Sequence, residues 1–384
     1  MQCKNVLLSS LPAWRRQFTL FVKMQTEVTS QKEPERKVNT KKSGELGLIN
    51  RIRQRVSRVS GGESLRPISL RLGIGDDCAL LRPRAGEELA VTTDLSIACR
   101  HFRLDWHPPE AVGHRTLARG LSDLAAMGAR PVAAFLSLAL PRELIQRAKG
   151  RGPWVDRFLD GLLALAEAYK LPLAGGDLAE SPVALADIVL IGAVKRGRAL
   201  LRSVARPGDL LYVTGTLGGA AVGLAKLEKQ NRLKKPNCSA QPATWKIAKK
   251  TDPALAAHLY PQPRVAQGLA LVRRGLATAA IDLSDGLSSD LTHLCQESGV
   301  AAEVDAAALP IAAGAALEEA LHGGEDYELL FTAPPGVLMP RVLAGTAIAR
   351  IGCILRRRAG KPMIVLKNGR EKQPLEPRGW EHFS

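Results

Sequence analysis

Apolar residues recur along this chain at helical and at alternating spacing by turns, and the whole pattern runs twice. Between residues 44 and about 57 (GELGLINRIRQRVS), leucine, isoleucine and valine fall at helical spacing and open the folded part. Residues 89–93 then read as a strand ending at Asp94. Ala111, Val112, Leu117, Leu121, Leu124 and Met127 predict one long helix over residues 109–128. Residues 132–140 predict a strand and 156–169 an amphipathic helix. A short strand over 171–174 runs into Gly175-Gly176-Asp177, and 188–194 is again strand-like. After the turn Pro207-Gly208-Asp209 the alternation restarts, with a strand over 210–214 and a glycine-rich stretch, 215–219, before a helix from about Ala220. Helices over 264–274 and 287–297 and strands over 278–281 and 325–332 follow. A helix near 337–344 and strands near 347–351 and 363–366 complete the pattern. The class is α/β in two halves joined near residues 196–208, without an exact repeat.

Charge changes this picture only at two places. The net charge of +17 would suggest a nucleic-acid partner if it were spread over the surface. Residues 1–43 carry nine Lys/Arg against three Asp/Glu, and residues 226–250 carry eight against one, so thirteen of the seventeen charges sit in two segments. Both lack a hydrophobic period and read as a tail and a surface insertion (229–251). Few aromatics accompany them, so base stacking has little support and nucleic acid is not an expected partner. Residues 1–26 lack acids, and Arg15-Arg16 splits their apolar stretch. That makes a poor secretory signal, and a transit peptide or an internal start at Met24 are the alternatives. Six scattered cysteines form no C-x-x-C pair, which argues against zinc and against a disulfide framework and for a reducing, cytoplasmic setting. No apolar run approaches the ~20 residues a membrane-spanning helix needs.

The candidate chemistry lies in five segments where an apolar run ends in aspartate beside glycine, serine or threonine. They are Gly73-Ile-Gly-Asp76-Asp77, Thr92-Thr93-Asp94, Leu121-Ser122-Asp123, Gly175-Gly176-Asp177 and Asp282-Leu-Ser284-Asp285-Gly286. One such segment is an ordinary turn; five suggest a shared site. Two carboxylates about 4 Å apart repel by about 4 kcal/mol at an effective dielectric near 20, so a cluster of them calls for cations. Carboxylates, hydroxyls and carbonyls suit Mg²⁺, which usually arrives with phosphate. Asp123 is the least structural of the set, because its helix is otherwise apolar. Asp282 and Ser284, two apart at a strand end, can face one ligand, and Gly286 opens a helix whose N-terminus favours an anion. Residues 215–219 match neither G-x-G-x-x-G nor the Walker pattern and read rather as a packing turn. Arg202, just before the junction, is a candidate phosphate clamp. No H-E-x-x-H pair and no Ser-His-Asp set is present.

In order and in combination, GIGDDCALL (73–81), LSDLAAMGA (121–129), RPGDLLYVTGT (206–216), IDLSDGL (281–287) and GGEDYELLFT (323–332) resemble the thiamine-monophosphate kinase family of the PurM-like (AIR synthase-related) superfamily. The resemblance runs from Gly44 to Phe383 and omits residues 1–43 and the insertion. It implies a two-domain PurM-like α/β (α+β) fold, with domains over 44–197 and 198–384, and a homodimer. It implies transfer of the ATP γ-phosphoryl group to thiamine monophosphate with several Mg²⁺ ions. Carried onto matching positions, metal ligands would be Asp76, Thr92, Thr93, Asp94, Asp123, Asp177, Asp282 and Asp285. ATP contacts would be Tyr169, Gly176, Asp177, Arg202 and Ser284, and substrate contacts His101, Glu325 and Trp380. No dedicated catalytic base is implied, since charge stabilisation by the metal ligands and Arg202 suffices. The runners-up are a sister ATP-dependent synthase (purine precursor, selenophosphate or carbamoyl dehydration) and, further off, a basic nucleic-acid-binding module. The chain departs from the family pattern at residues 95–99, at Gly120 and at Leu178, while its carboxylates remain.

Overall fold

The computed structural model describes residues 45–59, 69–74, 77–146, 152–231 and 252–380. In the first half, helix α1 (Glu45–Val59) precedes a short antiparallel pair, β1 (Leu70–Leu72) and β2 (Leu80–Leu81). Then follow β3 (Glu87–Ile97), α2 (Pro109–Ala126), β4 (Arg130–Leu140), α3 (Arg142–Ile145), α4 (Trp154–Ala168), β5 (Leu173–Glu180) and β6 (Leu185–Lys195). The four long strands form a sheet in the order β3-β6-β4-β5. Only β4 and β5 run parallel, and helices α3 and α4 make the crossover that a parallel pair requires. Helix α2 starts at Pro109, where a missing N–H costs nothing, and it buries fifteen of its eighteen residues. It can be so enclosed because it meets α4 at two glycines. A Cβ on Gly113 would overlap the carbonyl oxygen of Phe158, and one on Gly161 would overlap that of Glu110. Backbone therefore lies directly on backbone at this crossing.

The second half contains β7 (Leu210–Thr214), α5 (Gly219–Asn231), α6 (Pro253–Leu259), α7 (Val265–Arg274), β8 (Ala280–Asp282), α8 (Leu287–Ser298) and β9 (Val300–Asp305). Helix α9 (Leu317–His322) and strands β10 (Leu329–Ala333), β11 (Val342–Leu343), β12 (Thr346–Arg356), β13 (Ile364–Asn368) and β14 (Glu371–Pro374) complete it. The sheet order is β14-β13-β9-β12-β7-β10-β8, with β11 paired to β12. Strand alternation divides this sheet's two faces between two cores. Leu211 and Val213 of β7 pack with Leu287, Leu291 and Leu294 of α8. Tyr212 and Phe331, stacked with centroids 5.5 Å apart, turn instead toward the first half and join Leu117, Leu121 and Leu124 of α2 in one core. Helix α2 is thus held between the two sheets, with α7 packed against it where Gly268 lies on the Ala125 carbonyl.

Most predicted elements occur, but several expectations need correction. Strand β3 does not end at Asp94; it continues to Ile97, zipped to β6 along its whole length. Strand β5 likewise runs through Gly175-Gly176-Asp177 to Glu180. The segment 325–328 is not strand: Glu325 and Tyr327 have φ of 68° and 51°, and only from Leu329 does the chain pair. No helix forms over 337–344, where β11 and a loop lie instead. Prolines 334, 335 and 340 surround that segment and interrupt helical hydrogen bonding. Cys99 is disulfide-bonded, contrary to the reading of the cysteine spacing; spacing along the chain does not encode proximity across it. Among the described residues, no helix is long and apolar enough to cross a membrane.

Candidate active site

Where α2 meets the end of β8, a cleft of about 740 Å³ opens between residues of both halves. Its wall includes Thr93 and Asp94 from β3, Asp123 from α2, Asp282 at the end of β8, and Ser284 and Asp285 from the loop behind it. His101, Glu325 and Trp380 line the same cleft. Strand periodicity puts Thr92 and Asp94 on one face of β3, and the Thr92 hydroxyl donates to Asp123 Oδ2. Arg119 lies one helical turn before Asp123, so both project from one side of α2. Its guanidinium meets Asp94 Oδ1 at 2.7 Å. Ser122, beside Asp123, turns to the other half and donates to Asp282 Oδ2 at 2.7 Å, which fixes the two carboxylates relative to each other.

The loop after β8 is held by Asp290 of α8. One of its oxygens, Oδ2, accepts the backbone N–H groups of Ser284, Asp285 and Gly286 at 3.0, 3.1 and 3.1 Å. Gly286 adopts φ 111°, and a Cβ there would press on the His322 carbonyl, so glycine is needed to turn the chain into α8. The carboxylates bear the cost of their crowding. Burial and then Asp123 push the Asp282 carboxyl up to about 7, against relief from Ser122 and Arg202. Burial, then Asp282 and Asp285, push Asp290 up to about 8. Asp94 rises to about 6 through burial, which Arg119 only partly offsets. Burial also raises Asp123, opposed by the Thr92 hydroxyl and by Arg202. Such a set is short of positive charge.

No three His, Cys, Asp or Glu side chains among the described residues converge as a ready metal cage. Mg²⁺ does not require such a cage: it commonly takes one or two carboxylates and fills its shell with water and phosphate oxygens. The donor set, oxygen throughout and only partly offset by Arg119 and Arg202, fits that ion. Asp76 lies outside the described residues. Asp177 and Gly176 are exposed on the edge strand β5 and do not line the cleft. Tyr169 is also away from it, its hydroxyl donating to the Pro263 carbonyl at 2.9 Å. Arg202 is exposed in a 3₁₀ turn, off the lining, yet near enough to lower both Asp123 and Asp282. The glycine-rich turn is not an open phosphate cradle, because the amides of Gly218 and Ala220 donate to the Asp326 carboxylate at 2.6 and 3.1 Å.

Sequence reasoning missed Arg119, Arg115, His107, His258 and Asp290. Arg115 of α2 donates to Glu325 Oε1 at 2.5 Å across 210 residues of chain. Burial alone would raise the Glu325 carboxyl, but Arg115 and His258 outweigh it and hold it well below the ordinary range. The one local signal was an arginine and a histidine on faces otherwise apolar.

Two signatures place this architecture among known proteins: AIR synthase related protein, N-terminal domain, over residues 75–207, and AIR synthase related protein, C-terminal domain, over residues 206–362. The chain is therefore a two-part AIR synthase-related, PurM-like protein. Within that class it belongs to the thiamine-monophosphate kinase family. It is 40% identical to thiamine-monophosphate kinase of Escherichia coli (strain K12) over 353 residues, 89% of this chain and 98% of the other. It is 33% identical to that of Bacillus subtilis (strain 168), covering 82% and 94%. The solved thiamine-monophosphate kinase of Stenotrophomonas maltophilia K279a matches with a TM-score of 0.66 at 38% identity, covering 84% of this chain and 96% of that one. AaThiL complexed with AMPPCP and TMP matches with a TM-score of 0.62 at 29% identity, covering 88% and 97%. The hydrogenase maturation protein HypE, at 19% identity and a TM-score of 0.58, shares the fold alone.

Proposed function

We propose that this chain transfers the γ-phosphoryl group of ATP to thiamine monophosphate, giving thiamine diphosphate and ADP directly, with no covalent enzyme intermediate. The observation that carries this reading is a single cleft lined both by the carboxylates Asp94, Asp123, Asp282 and Asp285 and by His101, Glu325 and Trp380. The first group suits metal-bound phosphates, the second an organic acceptor. The acceptor is a phosphate monoester with a second pKa near 6, so at neutral pH it is already an anionic nucleophile and needs no general base. The obstacle is repulsion between two anions.

Asp94, Asp123, Asp282 and Asp285, with Thr92 and Thr93, would hold Mg²⁺, and Asp76 and Asp177 join the set by family resemblance. Bound Mg²⁺ supplies neutralisation of both phosphates. The chain's own contribution is positioning and fixed charge. Ser122 and Asp290 hold the carboxylates and the Ser284–Gly286 loop in place before any ligand arrives. Arg202 adds positive potential at Asp123 and Asp282 and is the ATP-side cation of choice, and Ser284, in the cleft wall, is the ATP-side hydroxyl. Tyr169, Gly176 and Asp177 are the remaining ATP contacts in this reading, and they require the nucleotide to extend beyond the cleft. Glu325, kept ionised, accepts from the aminopyrimidine. Trp380, 52% exposed at the rim, offers its ring face to the cationic heteroaromatic ring.

The working form in this reading is a cytoplasmic homodimer, with domains over 44–197 and 198–384. Leu89, Val91 and Leu95 lie on one face of the edge strand β3 and are 44, 61 and 42% exposed. An apolar face on a sheet edge favours a second copy. The expectations for residues 1–43 and for 232–251 of the insertion lie outside the described residues. The test is product analysis with purified protein, Mg²⁺, ATP and thiamine monophosphate. ADP and thiamine diphosphate should appear in equal amounts, and ATP consumption without thiamine diphosphate would refute the assignment.

A further inference from the structure

Beside Glu325, side chains from two helices and one loop form a hydrogen-bonded chain that the phosphoryl-transfer reading does not use, and two of them, His107 and His258, also touch the cleft. Glu325 itself is in an unusual state for a non-glycine residue. Its φ of 68° is left-handed, and its N–H is fixed to the Ser284 carbonyl at 2.8 Å. Strain of this kind persists only where the surroundings over-determine the conformation. Here they do. Arg115 Nη2 donates to Glu325 Oε1 at 2.5 Å, and His258 Nδ1 lies 3.3 Å from Oε2. His258 Nε2 is in turn 3.0 Å from His107 Nε2.

The tautomers of this chain interlock. Only one hydrogen fits between the two Nε2 atoms. His107 Nδ1 sits 3.0 Å from the Arg103 amide and 3.2 Å from the Arg103 carbonyl; in the tautomer that accepts from the amide, His107 carries its hydrogen on Nε2. His107 then donates to His258 Nε2, which leaves the His258 hydrogen on Nδ1, facing Glu325. Arg115 Nη1 does not compete. It is 2.9 Å from both His258 ring nitrogens, which puts it over the ring rather than on either lone pair, and it donates to the His258 carbonyl at 2.7 Å. Burial first, then Arg115, keep both imidazoles neutral.

We propose that Arg115, His258 and His107 are positioning residues for acceptor recognition. Two donors fix the two Glu325 oxygens, so that their remaining lone pairs point into the cleft as acceptors for the amino group of an aminopyrimidine. This rests on thiamine monophosphate as the substrate. The chain reads the amino group by polarity: an ionised, twice-anchored carboxylate accepts from an amino group and rejects an exocyclic oxygen in its place.

The experiment compares thiamine monophosphate with the analogue bearing oxygen in place of the pyrimidine amino group, using the full chain with ATP and Mg²⁺. Wild type should prefer the amino compound by tenfold or more in kcat/KM, and Glu325→Gln should lose most of that preference. His258→Leu should lower the preference about tenfold through the acceptor KM, with the ATP KM unchanged. His107→Leu, one link further back, should do the same to a smaller extent and serves if His258→Leu does not fold. In the Glu325→Gln background, His258→Leu should have no further effect on the preference. Equal loss on both acceptors, a parallel rise in the ATP KM, or additivity in the double variant would overturn the positioning role. A wild type that turns over both alike would also overturn it, whereas one that turns over neither acceptor would instead remove the substrate reading beneath it.

Discussion

Asp282→Asn should make this protein more stable and less active at once. Asp282 is 3% exposed, and its carboxyl is pushed from 3.8 to about 7 by burial and then by Asp123. A displacement of about three units, at about 1.36 kcal/mol each, makes the ionised group cost about 4 kcal/mol in the ligand-free fold. Asp123 and Asp290 both interact electrostatically with Asp282, and a proton gained by either relieves it. Removing one charge should therefore recover about half, about 2 kcal/mol, or about 4 °C in Tm. Asparagine has the same shape and still accepts from the Ser122 hydroxyl. The sign follows from linkage. Below pH 3.8 the carboxyl is protonated whether folded or unfolded, and the variant gains nothing. As pH rises toward 7 the unfolded chain ionises freely while the folded one resists, so the wild type loses stability and the variant does not. The assay is thermal unfolding in chelator at pH 8 and pH 5. The gain should be full at pH 8 and less than half of that at pH 5. Mg²⁺ should then raise the wild-type Tm more than that of the variant, while turnover in the variant falls by orders of magnitude. A variant less stable than wild type at pH 8 without metal, or a gain that does not change with pH, would refute the argument that this carboxylate's charge is uncompensated.

Asp123→Asn and Asp94→Asn should each nearly abolish thiamine diphosphate formation at saturating Mg²⁺; near-wild-type rates in an endpoint or coupled assay would contradict the electrostatic account. Gly113→Ala puts a methyl group onto the Phe158 carbonyl at the α2–α4 crossing, and should cost about 3 kcal/mol or prevent folding; an unchanged urea midpoint would show that the helices can separate freely. Val91→Arg, on the apolar face of β3, should give monomers by light scattering where the wild type gives dimers, and a dimer that survives the substitution would move the interface elsewhere.

Much of this fold could be read from periodicity, because strong patterns leave little choice. The strand 210–214 and the helix begun at Pro109 are as expected, since each presents one continuous apolar face. The failures have specific causes. EDYELLFT has strand composition, yet Glu325 and Tyr327 leave the strand region because Arg115, His258 and Ser284 hold the segment in a turn. Strand β9 and helices α6 and α9 went unread, being short and alanine-rich or close to the insertion. At the site, carboxylates beside glycine and serine were legible in the sequence, and most of those described share one cleft. Asp177 went against expectation because β5 carries on past it to an exposed edge. The cations and imidazoles were not legible. Arg115, Arg119 and His258 acquire their meaning only from partners brought near by folding, up to 210 residues away.

The central claim is that a carboxylate-lined cleft brings two phosphates together. The most direct measurement is therefore acceptor choice: ATP with Mg²⁺, offered thiamine monophosphate or free thiamine, with phosphorylated products separated and quantified. The account predicts thiamine diphosphate from the monophosphate and little or no product from thiamine, which lacks the second phosphate that the carboxylate-held cations would bind. Product from free thiamine and none from the monophosphate would contradict it.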